Sequence, residues 1–161
     1  MTTTTAASES PEARLRRLGL SLPPVFRPAG SYRSAVRTGN LLFLAGHISF
    51  RDDGSVALGR LGQDLDVDAG RAAARGAARS LLATIREELG SLDRVVRIVR
   101  LYGVVNSTPE FTQHTPVIDA ASDLLVEVFG EAGRHARLAV GVSSLPANLC
   151  LEIDAIVEVA D

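Results

Sequence analysis

One cysteine, Cys150, among 161 residues leaves no partner for an internal disulfide. With three scattered histidines it also argues against a structural zinc site. Tryptophan is absent and aromatic residues make up 4% of the chain, so few ring faces are on offer for stacking bases. Neither sign of charge dominates: the formal net charge is -2, with acidic and basic residues mixed along the chain, and the electrostatic footprint of a nucleic-acid binder is missing. No run approaches the roughly 20 apolar residues that span a bilayer, and MTTTTAASES lacks the basic and apolar regions of a signal peptide. These absences lead us to expect a soluble, cytoplasmic protein in a reducing compartment.

What is abundant is Ala, Val and Leu, enough for one compact domain with a core of small aliphatic side chains. Residues 1–10 are polar and without period and read as a disordered tail. PEARLRRLGL, with Pro11 at its start and Gly19 past its end, predicts a short basic helix, and SLPPVFRPAG a proline-rich loop, so that residues 11–27 precede the main domain at 28–161. From Tyr32 two β-rich runs are split by Thr38, Gly39 and Asn40, a hairpin signal, and a weaker strand is expected at Val56 to Arg60.

The stretch DVDAGRAAARGAARSLLATIREELG keeps a helical period through Ala73, Ala77, Leu81, Leu82, Ile85 and Leu89. Asp66 or Asp68 caps it and Gly90 ends it; the arginines at 71, 75, 79 and 86 read as a solvated outer face. DRVVRIVRLYGVVNS predicts a long strand, and TPVIDAASDLLVEVFG a second helix with Thr115 as cap, Pro116 as first residue and Gly130 as stop. Two terminal strands, Arg137 to Ser143 and Leu149 to Val159, are joined at SLPAN and expected to pair as a hairpin. The order β-β-β-α-β-α-β-β, after the N-terminal helix, implies an α+β domain with two helices on one face of a mixed sheet, the other face needing a cover.

GxGxxG, GxxxxGK[ST] and HExxH are all absent, so nothing points to a metal or an organic cofactor. Cys150, between leucines, reads as a small buried hydrophobe, and Arg134 with His135 as solvated loop residues. Arg137 and Glu152 interrupt otherwise apolar strands. Alternation alone assigns both to a solvated face.

The run from Arg137 through LAVGVSSLPANLCLEIDAI resembles the terminal signature of the Rid/YjgF family of reactive-intermediate deaminases. The resemblance extends back through GSYRSAV, LLFLAGHIS, EELG, DRVVRIVRLYG and the following phenylalanine, over roughly residues 28 to 160. It implies a chorismate-mutase-like fold and a homotrimer with active sites in intersubunit clefts. It further implies that Arg137 grips the carboxylate of a small 2-imino or enamine acid, a task suited to its planar fork. Glu152 would position and activate water, Tyr32 would line the pocket, and Gly46 and the backbone of Ala139 would touch the substrate. Asp119 stands nearest the family's asparagine early in the second helix, where a carboxylate would repel the substrate. The implied reaction gives a 2-keto acid and ammonia without metal or cofactor. His47, where the family often has glutamine, and Asp119 motivate an alternative, a trimeric carboxylate-binding or regulatory protein; a ribonuclease ranks below both.

Overall fold

The computed structural model describes residues 9–161. The first eight residues of the expected tail lie outside it. Ser10 caps the first helix from outside it: its backbone is extended, and its hydroxyl accepts from the amide of Ala13 at the start of α1 (Pro11–Arg17). β1 (Ala35–Thr38) and β2 (Leu41–His47) form the predicted hairpin, turning at Gly39, whose φ of 57° suits a residue without Cβ. α2 (Val67–Leu89) is capped by Asp66 and stopped by Gly90 in the left-handed conformation. β3 (Val95–Asn106), α3 (His114–Phe129), β4 (Ala136–Val142) and β5 (Leu151–Val159) complete the chain.

The five strands run in the order β1-β2-β5-β3-β4, antiparallel except for the parallel pair β3 and β4. The α+β, chorismate-mutase-like arrangement expected from the sequence is therefore present. α2 and α3 cover one face. There Leu42 and Leu44 of β2, Ile98 and Leu101 of β3, and alternate residues of β5 from Leu151 to Val159 are buried. Alanines 73, 74, 77 and 78 let α2 sit close to its neighbours, and at Gly70 a Cβ would fall 2.8 Å from Leu61 and 3.0 Å from Val117. The opposite sheet face leaves Val36, Phe43 and Leu138 exposed.

Four expectations need correction. Val56 to Arg60 is not a strand but a loop with single bridges from Val56 to Phe50 and from Leu58 to Leu149. Gly59 at φ 118° and Gly62 at φ 86° break the extended run, and the amides of Gln63, Asp64 and Leu65 all turn back to the Arg60 carbonyl. The terminal strands do not form a hairpin. β4 runs parallel to β3, and β5 takes the other side of β3, between it and β2, which leaves β4 at the edge. α3 begins at His114, two residues before the expected Pro116, and Gln113 rather than Thr115 precedes it, with no side-chain cap.

The arginines of α2 are not a free outer face either. Arg71 donates to the Pro116 carbonyl, Arg75 to Glu127, and Arg79 to Asp52 and to Ser21. Arg86 reaches Glu12 of α1 through Nε at 3.0 Å and Nη2 at 2.6 Å, while the Leu92 amide donates to the same carboxylate at 3.0 Å. Helical periodicity shows which residues leave the core but not what their long side chains reach.

Candidate functional site

Period-two alternation along β5 sends Leu151, Ile153 and Ala155 under the helices and Glu152 to the open face, half-buried. The register between β2 and β5 slips between Leu44 and His47, and that irregularity brings Gly46 against Glu152. A Cβ at position 46 would lie 2.7 Å from Glu152 Oε2, so only glycine leaves the carboxylate in place. Among the described residues no donor hydrogen-bonds this carboxylate, and burial raises its pKa above the ordinary glutamate value. Such a group holds its proton more readily than a surface glutamate. It fits a residue that takes up and returns protons.

Arg137 lies on the other side of the sheet. It is in register with Leu101 and Ala155, both buried under the helices, and its guanidinium meets α3. Nη1 donates to Asp119 Oδ1 at 2.7 Å and to Ser122 Oγ at 3.0 Å. All its partners among the described residues are on Nη1, so Nε and Nη2 keep a free edge for a second anion. Asp119 thus stands paired with the arginine rather than facing a substrate alone.

A further hydrogen bond continues from this pair. His135 Nδ1 bonds the Gly133 carbonyl at 2.6 Å, which places the proton on Nδ1 and leaves Nε2 to accept from Ser122 Oγ at 3.0 Å. Burial lowers the His135 pKa against the effect of the Gly133 bond, and the Arg137 charge lowers it further. His135 is therefore a half-buried member of the Arg137 cluster, not the solvated loop residue that its polar neighbours suggested. Ser122, missed in the sequence, sits three residues after Asp119, the spacing that puts both on one helix face. Arg134 does reach solvent, paired with Glu131.

Within one chain the expected site residues form two groups, with Tyr32 apart from both. Gly46 and Glu152 are adjacent on the open face, whereas Arg137, Asp119 and, two residues along the same strand face, Ala139 belong to the helix side. Glu152 is in register with Val104 and Val140, so it is two strands and three residues from Arg137, about 14 Å from ordinary strand dimensions. Tyr32 is exposed and lies in a separate crevice with Arg27, Ser34 and Glu87.

Two further residues have structural roles. His47 is buried, its Nδ1 2.7 Å from the Ala45 carbonyl and its Nε2 2.8 Å from Thr84 Oγ1 of α2. It faces the helices and not Glu152. Cys150 is buried as expected, its thiol pushed up to about 11 by desolvation. Among the described residues no three His, Cys, Asp or Glu side chains are grouped to hold a metal ion, and no helix is long and apolar enough to cross a membrane.

Residues 12–158 match the family described as "YjgF/chorismate mutase-like, putative endoribonuclease". The Trypanosoma cruzi protein TCP17 is 46% identical over 153 residues, covering 94% of this chain and 96% of its own. A crystal structure of a protein of unknown function from Agrobacterium tumefaciens superposes with a TM-score of 0.85 at 41% identity, covering 95% of this chain and 96% of that one. One from Shewanella oneidensis, carrying the same endoribonuclease description, reaches a TM-score of 0.89 at 36% identity over 93% and 99% of the two chains.

Proposed function

The chain belongs to the YjgF/chorismate mutase-like family, and from that premise we propose that it is a hydrolytic deaminase of small 2-imino or enamine acids, working as a homotrimer. The observation that carries the proposal is Glu152: a half-buried carboxylate with no donor among the described residues, its pKa raised by burial, held against Gly46 on a sheet face that none of the described helices covers. In this proposal a second copy of the chain covers that face and hides its exposed Val36, Phe43 and Leu138, and Arg137, carried on the edge strand β4, meets a neighbour's Glu152 across the subunit boundary. Burying such apolar groups contributes about 25 cal/mol per Å².

In this site the free edge of Arg137 takes the substrate carboxylate, with Asp119 holding the guanidinium by its other nitrogen. The iminium carbon is already electrophilic, so the protein's task is to place a water and move protons. Glu152 takes a proton from water as its oxygen bonds to that carbon, and the C=N π electrons pass to nitrogen. The resulting carbinolamine loses ammonia: its hydroxyl proton passes to solvent water, the C=O forms as the C–N bond breaks, and Glu152 returns its proton to the departing nitrogen. One imino acid and one water give one 2-keto acid and one ammonia.

The binding-only alternative keeps a single motive, the Asp119 pair on Arg137, since His47 turns away from Glu152. The ribonuclease wording attached to relatives finds little support here, given the net charge of -2 and 4% aromatic residues. The test is ammonia release from 2-iminopropanoate generated in place by an amino-acid oxidase. Wild type should accelerate it and Arg137→Ala should not, while sedimentation shows both as trimers. Full activity of Arg137→Ala sinks the mechanism; carboxylate binding without turnover by wild type establishes the alternative.

A further inference from the structure

A second cluster of polar side chains lies where the parallel strands β3 and β4 end, at the start of α3. Ser107 follows β3 directly, and its Oγ is 3.1 Å from His114 Nε2, the first residue of the helix. Phe111 packs its ring against the His114 ring at 79°, so the imidazole is held from the side. Arg60 comes from the 56–65 loop, which is tied to this strand end by hydrogen bonds from the Leu61 amide to the Asn106 carbonyl (2.9 Å) and from the Thr108 amide to the Leu61 carbonyl (3.0 Å). Arg60 Nη2 donates to the Ser107 carbonyl at 3.0 Å, and its Nε is buried with no acceptor among the described residues. A buried donor without an acceptor is costly, and it leaves the Arg60 guanidinium only partly compensated by the protein's own groups.

These residues line a crevice of about 240 Å³ together with Thr108, Gly141 and Ser143. Its floor exists because position 141 has no side chain: a Cβ there would collide with His114 Nε2 and lie 2.6 Å from Ser107 Oγ. No carboxylate is on the wall. The helix that opens onto it has no side-chain cap and no acid in its first turn, leaving its positive end uncompensated.

We propose that this crevice binds a small anion, a carboxylate or a phosphate group, held by the Arg60 guanidinium and the Ser107 hydroxyl. When His114 Nε2–H donates to Ser107 Oγ, the serine hydrogen is free for the anion, and Arg60 supplies the charge. The volume is below the 300 Å³ or so at which drug-sized pockets begin, which selects a small acid or a phosphate and not a nucleotide. The site is built without Arg137 or Glu152 and stands independently of the deaminase reading.

The test is a titration of the full-length, ¹⁵N-labelled protein with inorganic phosphate and, separately, with acetate at constant ionic strength. Saturable shifts of the amides of Ser107, Thr108, His114 and Gly141 are expected with at least one ion, and the tighter ion names the ligand chemistry. Arg60→Gln should weaken binding about tenfold or more, the loss of a hydrogen bond to a charged partner. Gly141→Ala, which leaves the charge unchanged and fills the floor, should abolish it. Amide dispersion and melting temperature establish that each variant is folded; if Arg60→Gln fails that check, Gly141→Ala and Ser107→Ala decide. Absence of saturable shifts at these amides with both ions overturns the proposal, as does binding that survives the folded variants unchanged.

Discussion

The anchor of the N-terminal helix can be tested by one substitution, Glu12→Ala. In the folded chain that carboxylate accepts from Arg86 Nε, Arg86 Nη2 and the Leu92 amide, so its removal leaves three donors without their acceptor. A hydrogen bond to a charged group contributes about 1.5–3 kcal/mol, but the three share one carboxylate and are not additive. The Arg86 side chain is 38% exposed, and water takes over part of its loss, so the whole node is worth about 2–3 kcal/mol. For a domain of this size that lowers the melting temperature by about 5–10 °C. Thermal and urea melts followed by circular dichroism read the change directly. Burial pushes the Glu12 pKa up, but the bonds from Arg86 and Leu92 outweigh it, and the carboxyl titrates below its ordinary value of 4.5. A group depressed in the folded state stabilises above its unfolded pKa and stops doing so as pH falls through the folded value. The gap between wild type and Glu12→Ala should therefore be constant near neutrality and close below about pH 4.5. A melting temperature unchanged at neutral pH, or a gap that persists undiminished in strong acid, would refute the reasoning.

Glu152 should behave in the opposite sense. Its pKa is raised by burial, so its contribution to stability is present below the ordinary glutamate value and is lost as pH rises through the folded one; Glu152→Gln should melt higher than wild type at neutral pH. The same variant should lower kcat about a hundredfold or more, and the acidic limb of the wild-type pH–rate profile should lie above the free-glutamate value; an unaltered kcat removes Glu152 from the mechanism. Cys150, buried with its thiol near 11, should resist thiol reagents in the native protein at pH 8 and react once in urea; stoichiometric native labelling would contradict its placement. Gly103→Ala would put a Cβ 2.6 Å from Ile118 Cδ1 and should cost about 1–3 kcal/mol in urea melts, with Ile118→Val recovering part of it; a neutral result would show that β3 and α3 are farther apart than described.

Local chemistry explains what could be read from the sequence. Asp66 and Gly90 bound α2, and Gly39 turns the first hairpin, because caps and turns are decided by residues within one turn of the feature. Pairing is decided elsewhere. The alternation of β5 tells which of its residues are inside, but not whether its neighbour is β4 or β3, and the connection at SLPAN suggested the wrong one. The same limit applies to the site. The resemblance marked Arg137 and Glu152 together, whereas only the register shows them on opposite faces of one subunit. Ser122 and His135 were legible as residue types but not as members of the Arg137 cluster, because their partners arrive through tertiary packing.

The position of β5 bears on how the chain comes into being. It is the last of the five strands to leave the ribosome, yet it lies in the middle of the sheet, paired with β2 on one side and β3 on the other. Until it emerges, the β1-β2 hairpin and the β3-β4 pair have no strand to join them, and each presents a bare edge to other chains. The nascent protein therefore cannot complete its sheet in stages from the N-terminus, and its exposure to misassembly is greatest just before synthesis of this segment ends. Deletion of β5 would take away the seam between the two halves and not merely an edge.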